Sequence, residues 1–408
     1  MKDLLSVEEA QELILQSVQP LSEAVEMSLL EAEGRALAED IVSPVHIPPF
    51  DNAAVDGYAV IAEDTAGASA QSPARLRVVG AVNAGEVAHF AVGRGEAARV
   101  MTGAPVPAGA DAMVMVEDTE QHGEEVWIKS PARIGQHIRR QGEAVAQGET
   151  VLRKGQSLGA GEILVLAAIG RSTAPVVRPA RVCLLTTGDE LVEPGRPLPP
   201  GKIYNSNRYA LSVQVRETGA QLEHLHIPDD PIITRDALTQ AQAYDMVLTA
   251  GGVSVGERDF VKQAVESLGE LRFWRVAIKP GKPIAFGRVG QALFVGLPGN
   301  PVSAMVTFEL FVRPALRKMM GHRVLFRPRV QAVLEHDIGA IGSRREYIRG
   351  QLRWGEGRWL VRSTGAQESG MVASMVGANA LIVAPARSEL RRGDTVDVLM
   401  IDLPLGSE

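Results

Sequence analysis

A single cysteine, Cys183, stands among 408 residues, which excludes an intramolecular disulfide and any zinc site built from more than one thiolate. Aromatic residues make up only 4%, too few to favour a base-stacking groove. Lys and Arg number 42 against 49 Asp and Glu, a net charge of −7. The clustered basic excess of a nucleic-acid surface is therefore missing, although a local anion pocket stays open. No run reaches the ~18 apolar residues of a membrane span, and the first 15 residues carry Asp3, Glu8, Glu9 and Glu12 where a secretory signal needs an apolar block. The eight histidines show no His-x-x-x-His or similar ligand spacing, which argues against a transition-metal site. These absences describe a cytoplasmic globular protein whose partners include neither nucleic acid nor membrane.

What is present is an ordinary 45% of hydrophobic residues with many turn formers, 41 Gly and 24 Pro, over a length that predicts about two to four domains. Ser6 with Glu9 forms a capping box, and Ala10, Leu13, Ile14 and Val18 follow at helical spacing. A second helix is expected over about Ser28 to Ala38. From Pro48 to about Thr150 short β-branched runs alternate with glycine, as in Leu76 to Val79, Ala97 to Met101, Ala112 to Val116 and Val126 to Lys129. Gly159 to Ile169 reads as helix again, so the β-rich module is inserted into a helical unit. From Ala180 apolar strands alternate with amphipathic helices, ending in a long helix over about Pro301 to Met320, a pattern that predicts a parallel, doubly wound sheet. Phe273 to Ile278 is expected as one of its strands. After Arg329 strands return and form a small β domain.

Ligands in such a sheet sit outside the carboxyl ends of the strands. The loops there carry Thr187-Gly188-Asp189-Glu190, Asp229-Asp230-Pro231, Gly251-Gly252-Val253-Ser254-Val255-Gly256 with Asp259, Lys279-Pro280-Gly281-Lys282-Pro283, and Pro298-Gly299-Asn300-Pro301. Backbone N–H groups of the two glycine loops that enter helices suit anionic oxygens. Lys279 and Lys282 offer fixed positive charge, and Glu190, Asp229, Asp230 and Asp259 offer hard oxygen ligands. Carboxylates beside phosphates repel them unless a divalent cation lies between, which makes Mg²⁺ the natural inference. Asp189 reads equally as a turn former, and Asp230 as an N-cap. Gly252 to Gly256 spells Gly-x-Ser-x-Gly, yet no persuasive His or acid partner follows in the order a hydrolase needs, which ranks a serine hydrolase low. In the β-rich module Asp56 is the functional candidate, with Thr102 and the paired Arg139 and Arg140 on Gly-bearing turns.

Taken together, Phe50-Asp-Asn-Ala-Ala-Val-Asp-Gly-Tyr58, Met101-Thr-Gly-Ala-Pro105, Ile138-Arg-Arg-x-Gly-Glu143, Thr187-Gly-Asp-Glu190, Gly251 to Asp259, Lys279-Pro-Gly-Lys-Pro283 and Gly296 to Ser303 resemble the molybdopterin molybdenumtransferases, a family related to the E domain of gephyrin. The resemblance runs nearly end to end. It implies a helical domain over 1–47 and 145–177, an inserted β-rich domain over 48–144, a molybdopterin-binding α/β domain over 178–327 and a C-terminal β barrel over 328–408. It also implies a homodimer with each cleft between subunits, and the reaction of adenylylated molybdopterin with molybdate, assisted by Mg²⁺, to give molybdenum cofactor and AMP. A molybdopterin adenylyltransferase and downstream cofactor-maturation proteins are the implied partners.

By the same resemblance, Glu190, Asp229 and Asp259 position Mg²⁺ or the attacked pyrophosphate. Lys279, Lys282, Gly251, Gly252, Ser254, Pro298, Gly299, Asn300 and Pro301 hold phosphate and adenylate, and Asp56, Thr102, Arg139 and Arg140 close the cleft from the second subunit. Arg349, in Tyr347-Ile-Arg349-Gly, and Ser369 add polar groups from the C-terminal domain. The chain departs from the family at Ala144, where an Asp is usual, so that position lacks the carboxylate for metal or substrate handling, and Glu143 is not assumed to replace it. A gephyrin-like scaffold and a generic phosphate-binding hydrolase are the competing readings.

Overall fold

The computed structural model describes residues 4–253 and 260–403. Helix α1 (Val7–Ser17) starts at the expected capping box, with Ser6 N–H on Glu9 Oε2 at 2.9 Å and Glu9 N–H on Ser6 Oγ at 3.1 Å. Its buried Val7, Ala10 and Ile14 pack into the core cluster of the α/β domain. The expected helix over Ser28 to Ala38 is absent. Ala24–Ser28 is a strand paired antiparallel with Thr173–Val177, and the chain then makes one turn before Gly34, at φ +73°, breaks it. Gly34 N–H goes to Leu158 O at 2.7 Å, so tertiary partners take backbone groups that a helix needs internally. Helix α2 (Ala160–Ala168) completes this unit over a small core of Leu37, Ile41, Leu152, Leu166 and Val176.

The insertion forms a six-stranded sheet with Tyr58, Val60, Leu76, Val114 and Val126 buried on one face. A second six-stranded sheet carries the α/β domain, in the order Gln221–Ile227, Arg181–Thr187, Met246–Ala250, Ala292–Leu297, Ala285–Val289, Gly269–Phe273. The first four strands are parallel, and Ala285–Val289 runs antiparallel to both its neighbours, Ala292–Leu297 and Gly269–Phe273. The purely parallel expectation fails there because Val289 and Ala292 are joined by a two-residue hairpin with Gly290 at φ +57°, and a hairpin joins antiparallel strands only.

Helices α3 (Ser206–Glu217), α4 (Pro231–Ala241) and α5 (Phe260–Leu268) cover this sheet, followed by α6 (Pro301–Thr307) and α7 (Arg313–Met319). A π segment, Phe308–Val312, joins α6 to α7. Pro314 has no N–H to give Leu310 O, and Gln11 Nε2 on α1 donates to that freed carbonyl at 2.9 Å.

The expected strand over Phe273 to Ile278 is split. Ile278–Lys279 leaves the α/β sheet and pairs with Arg345–Glu346 at the edge of the C-terminal domain. There, five strands close into a barrel through the pairing of Arg345–Gly355 with Ala380–Ala384. Among the described residues no helix is long and apolar enough to cross a membrane.

The amino ends of the strands are clamped by charge. Arg178 grips Asp245 at 2.7 and 2.8 Å and reaches Glu23 at 2.9 Å, while Arg181 N–H donates to Asp245 at 2.7 Å. Burial pushes Asp245 upward, but the guanidinium and the N–H outweigh it and hold the carboxyl below the usual range. Asp245→Asn is expected to cost about 2 kcal/mol, less than a fully buried pair because solvent reaches both groups. A group with a depressed folded-state pKa stabilises fully above its unfolded pKa and loses that contribution as pH falls through the folded one. The urea midpoint of Asp245→Asn should therefore trail wild type at pH 7 and converge with it in acid.

Candidate functional site

The four parallel strands run 2-1-3-4 in space, and the order reverses between Arg181–Thr187 and Met246–Ala250, where a doubly wound sheet opens a crevice. A cleft of about 500 Å³ lies at that point, lined among others by Thr187, Gly188, Glu190, Asn207, Asp229, Gly251, Gly252, Pro283, Pro298, Gly299 and Asn300. Glycine is required where the chain turns out of the sheet. Gly251 and Gly252 have φ +98° and +68°, conformations that L side chains rarely adopt, and a Cβ on Gly252 would collide with Val261 Cγ2.

Glu190, Asp229, Gly251, Gly252, Pro298, Gly299 and Asn300 are thus brought together. Asp229 N–H donates to Asp189 Oδ1 at 3.2 Å, tying two of the loops. Asp230 is the N-cap of α4, its Oδ1 accepting from Ile232 and Ile233 N–H at 2.8 and 2.9 Å. Pro301 opens α6. Ser254, Gly256 and Asp259 lie outside the described residues.

The lysines stand apart from the lining. Lys279 Nζ pairs with Glu346 at 3.1 Å, because its two-residue strand is hydrogen-bonded to the barrel edge. Lys282 is exposed beside the cleft-lining Pro283. From the barrel side Ser369 bonds a residue of the cleft lining, its Oγ accepting from Asn300 Nδ2 at 2.9 Å. Arg349 does not line it. At 1% exposure its guanidinium bonds Ser374 Oγ at 3.0 Å and Glu368 O at 3.3 Å, so it shapes the loop that presents Ser369.

The insertion holds a separate constellation. Thr102 donates to Asp56 Oδ1 through its hydroxyl at 2.6 Å and its N–H at 2.7 Å. These bonds keep the exposed Asp56 carboxyl below the usual range. Arg140 pairs with Asp51 at 2.6 Å, and Arg139 is exposed on a short strand against Asn52. Glu143 caps its own turn through Arg140 N–H at 2.8 Å. None of these residues lines the α/β cleft of the same chain.

Sequence reasoning passed over Asn207. Its Nδ2 donates to Gly299 O at 2.7 Å, joining the first turn of α3 to the opposite loop. The available signal was Asn205, the N-cap two residues earlier, whose side chain accepts from Arg208 N–H at 3.3 Å.

Magnesium is bound by one or two carboxylates with substrate phosphates supplying further oxygens, and Glu190 and Asp229 in one cleft fit that donor set. Among the described residues no group of three or more His, Cys, Asp or Glu is placed to hold a metal unaided.

Three family models match in tandem: MoeA N-terminal region (domain I and II) over residues 5–170, a probable molybdopterin binding domain over 183–318, and MoeA C-terminal region (domain IV) over 331–401. The chain is 39% identical over 388 residues to molybdopterin molybdenumtransferase 2 of Mycobacterium tuberculosis, covering 93% of this chain and 95% of the relative. It is 37% identical over 402 residues to the molybdopterin molybdenumtransferase of Haemophilus influenzae, covering 97% and 98%. The crystal structure of the molybdopterin biosynthesis moeA protein of Pyrococcus horikoshii OT3 superposes with a TM-score of 0.84 at 35% identity, over 98% of this chain and all of that one. With its glycine loops and paired carboxylates gathered at one strand edge, the chain belongs to the molybdopterin molybdenumtransferase (MoeA) family of enzymes.

Proposed function

We propose that the chain transfers molybdenum from molybdate to adenylylated molybdopterin with release of AMP, in the presence of Mg²⁺. The observation that carries this reading is the meeting of the Gly251-Gly252 loop, the Pro298-Gly299 loop, Glu190 and Asp229 in one cleft. Backbone N–H groups of the two loops bind phosphate oxygens and fix their orientation. Bound Mg²⁺ would neutralise phosphate charge, with Glu190 and Asp229 as its protein ligands and Asp259 a third candidate outside the described residues. Asn300 and Ser369 brace the cleft wall through their mutual hydrogen bond.

Lys279 and Lys282 supply longer-range attraction for the anions, weakened for Lys279 by Glu346. The acting species is a homodimer, in which Asp56, Thr102, Arg139 and Arg140 of one subunit cover the cleft of the other. A molybdopterin adenylyltransferase supplies the substrate.

AMP release from adenylylated molybdopterin, followed with and without molybdate and Mg²⁺, tests the reading. Wild type should release AMP only with both, and Glu190→Gln should slow that release about 100-fold. Release indifferent to molybdate would replace the transferase with a phosphate hydrolase, and no release in wild type would leave a binding scaffold.

The shared cleft is tested by mixing subunits. Asp56→Asn and Glu190→Gln homodimers should each be impaired, whereas a heterodimer of the two carries one intact cleft and recovers about half of wild-type activity. Heterodimers as inactive as their parents would remove Asp56 from the partner's cleft.

A further inference from the structure

A run of hydrogen-bonded side chains leads from the edge strand Gln221–Ile227 to the wall of the cleft. At its centre is Thr186, fully buried on the neighbouring strand and one residue before the cleft-lining Thr187. Thr186 Oγ1 stands 2.9 Å from Asn205 Nδ2, 2.9 Å from His224 Nε2 and 3.4 Å from His226 Nδ1. Chemistry fixes the role of each partner. Asn205 Oδ1 accepts from Arg208 N–H, so the other end of the amide, Nδ2, donates to Thr186. His226 Nδ1 lies 3.0 Å from the carbonyl oxygen of Thr186, which only accepts, so this nitrogen carries a proton and is a donor as well. The proton of the Thr186 hydroxyl is then left with one acceptor among the described residues, His224 Nε2. That requires a neutral ring protonated on Nδ1. Its surroundings agree: burial first and Arg208 second, with a further push from His226, outweigh Glu193 and bring the imidazole down to about 4.

The run reaches the cleft through Asn205, which is buried and caps α3. Two residues on, Asn207 Nδ2 donates to Gly299 O across the cleft. Asn205 Nδ2 also reaches Glu193 at 3.3 Å, and Glu193 is held by Arg208 at 2.6 Å and by Tyr209 at 3.0 Å. Without the ring acceptor a buried hydroxyl proton is unmatched at the point that holds α3. Such a state is costly, and a shift of Thr186 or Asn205 relieves it.

Resting on the transferase reading, we propose that His224 is a positioning residue for the reaction. It takes the Thr186 hydroxyl proton and so sets where the first turn of α3, and with it the Asn207–Gly299 contact, stands beside the bound phosphates. His224 is not among the residues lining the cleft and acts only through Thr186.

The test combines AMP release with a direct reading of the ring. In ¹⁵N-histidine-labelled protein, the resonance lost in His224→Gln should report a neutral ring with its proton on Nδ1 at pH 7; a proton on Nε2 would overturn the proposal. His224→Phe, which keeps the ring shape without the acceptor, should lower kcat/KM for adenylylated molybdopterin about 10-fold, and Thr186→Val should do the same. His224→Gln, whose amide oxygen replaces Nε2, should stay within about 3-fold of wild type. The double variant His224→Phe, Thr186→Val should be no worse than either single one, because both remove the same contact.

Losses that multiply in the double variant would overturn the proposal. So would a His224→Phe protein with a lower urea midpoint and unchanged kcat/KM, which makes the ring a structural group alone. His224→Leu gives the same comparison if the phenylalanine variant does not fold. Wild type that releases no AMP overturns the transferase reading, whereas the ring tautomer reads the hydrogen-bonded run independently of turnover.

Discussion

Four parallel strands end level, and the rest of the molecule depends on that register. Thr186 lies opposite Ala250, Ala250 opposite Leu297, and Thr187 opposite Ile227, so the loops that follow leave the sheet at one edge. The register is held by packing on both faces. Val182 and Leu184 point into one core cluster with Met246, Leu248, Leu293 and Val295; Cys183 and Leu185 point into the other with Val247 and Phe294. A slip of one residue would send each side chain to the wrong cluster. Cleft geometry is thus a consequence of core packing, and the loops need contribute only their own turns.

Where local chemistry decides structure, the sequence is readable. The capping box at Ser6 and Glu9, the Asp230-Pro231 helix start and the apolar strands of the insertion all appear where their residues predict them. Expectations fail where a distant partner decides. Ser28 to Ala38 has helical composition, but its backbone is claimed by Pro175 and Leu158. The π segment before Pro314 is tolerated because Gln11, roughly 300 residues away in sequence, satisfies Leu310 O. Ile278 looks like the end of a core strand and Lys279 like the loop after it, and only the barrel edge shows why both pair elsewhere.

The site divides along the same line. Glycine loops announce themselves because a positive φ restricts the residue type at a single position, and Glu190 and Asp229 are found by following those loops. Arg349 shows the opposite case: its motif was legible, but burial gives it the task of holding the loop around Ser369 rather than facing the cleft. Asn207 was hidden, because an Asn in the first turn of a helix is ordinary. Its distinction lies in the contact with Gly299, from a loop 92 residues further on.

Charge limits what the cleft can hold. Glu190 and Asp229 line it, and no Lys or Arg is among its described lining residues. Of the two expected lysines, Lys279 is already paired with Glu346. Among the lining groups themselves the positive potential comes from backbone N–H groups at the loops and at the start of α3, worth about half a unit charge per helix terminus, with Lys282 exposed beside Pro283 just outside. Against two full carboxylates this is too little to hold a bare phosphate. The same carboxylates become an asset once a divalent cation accompanies the phosphate, because the groups that repel the anion are then ligands for its counter-ion. On the proposed transferase reading, the acidic lining, at first sight the wrong sign for a phosphate site, suits a substrate that arrives together with its cation.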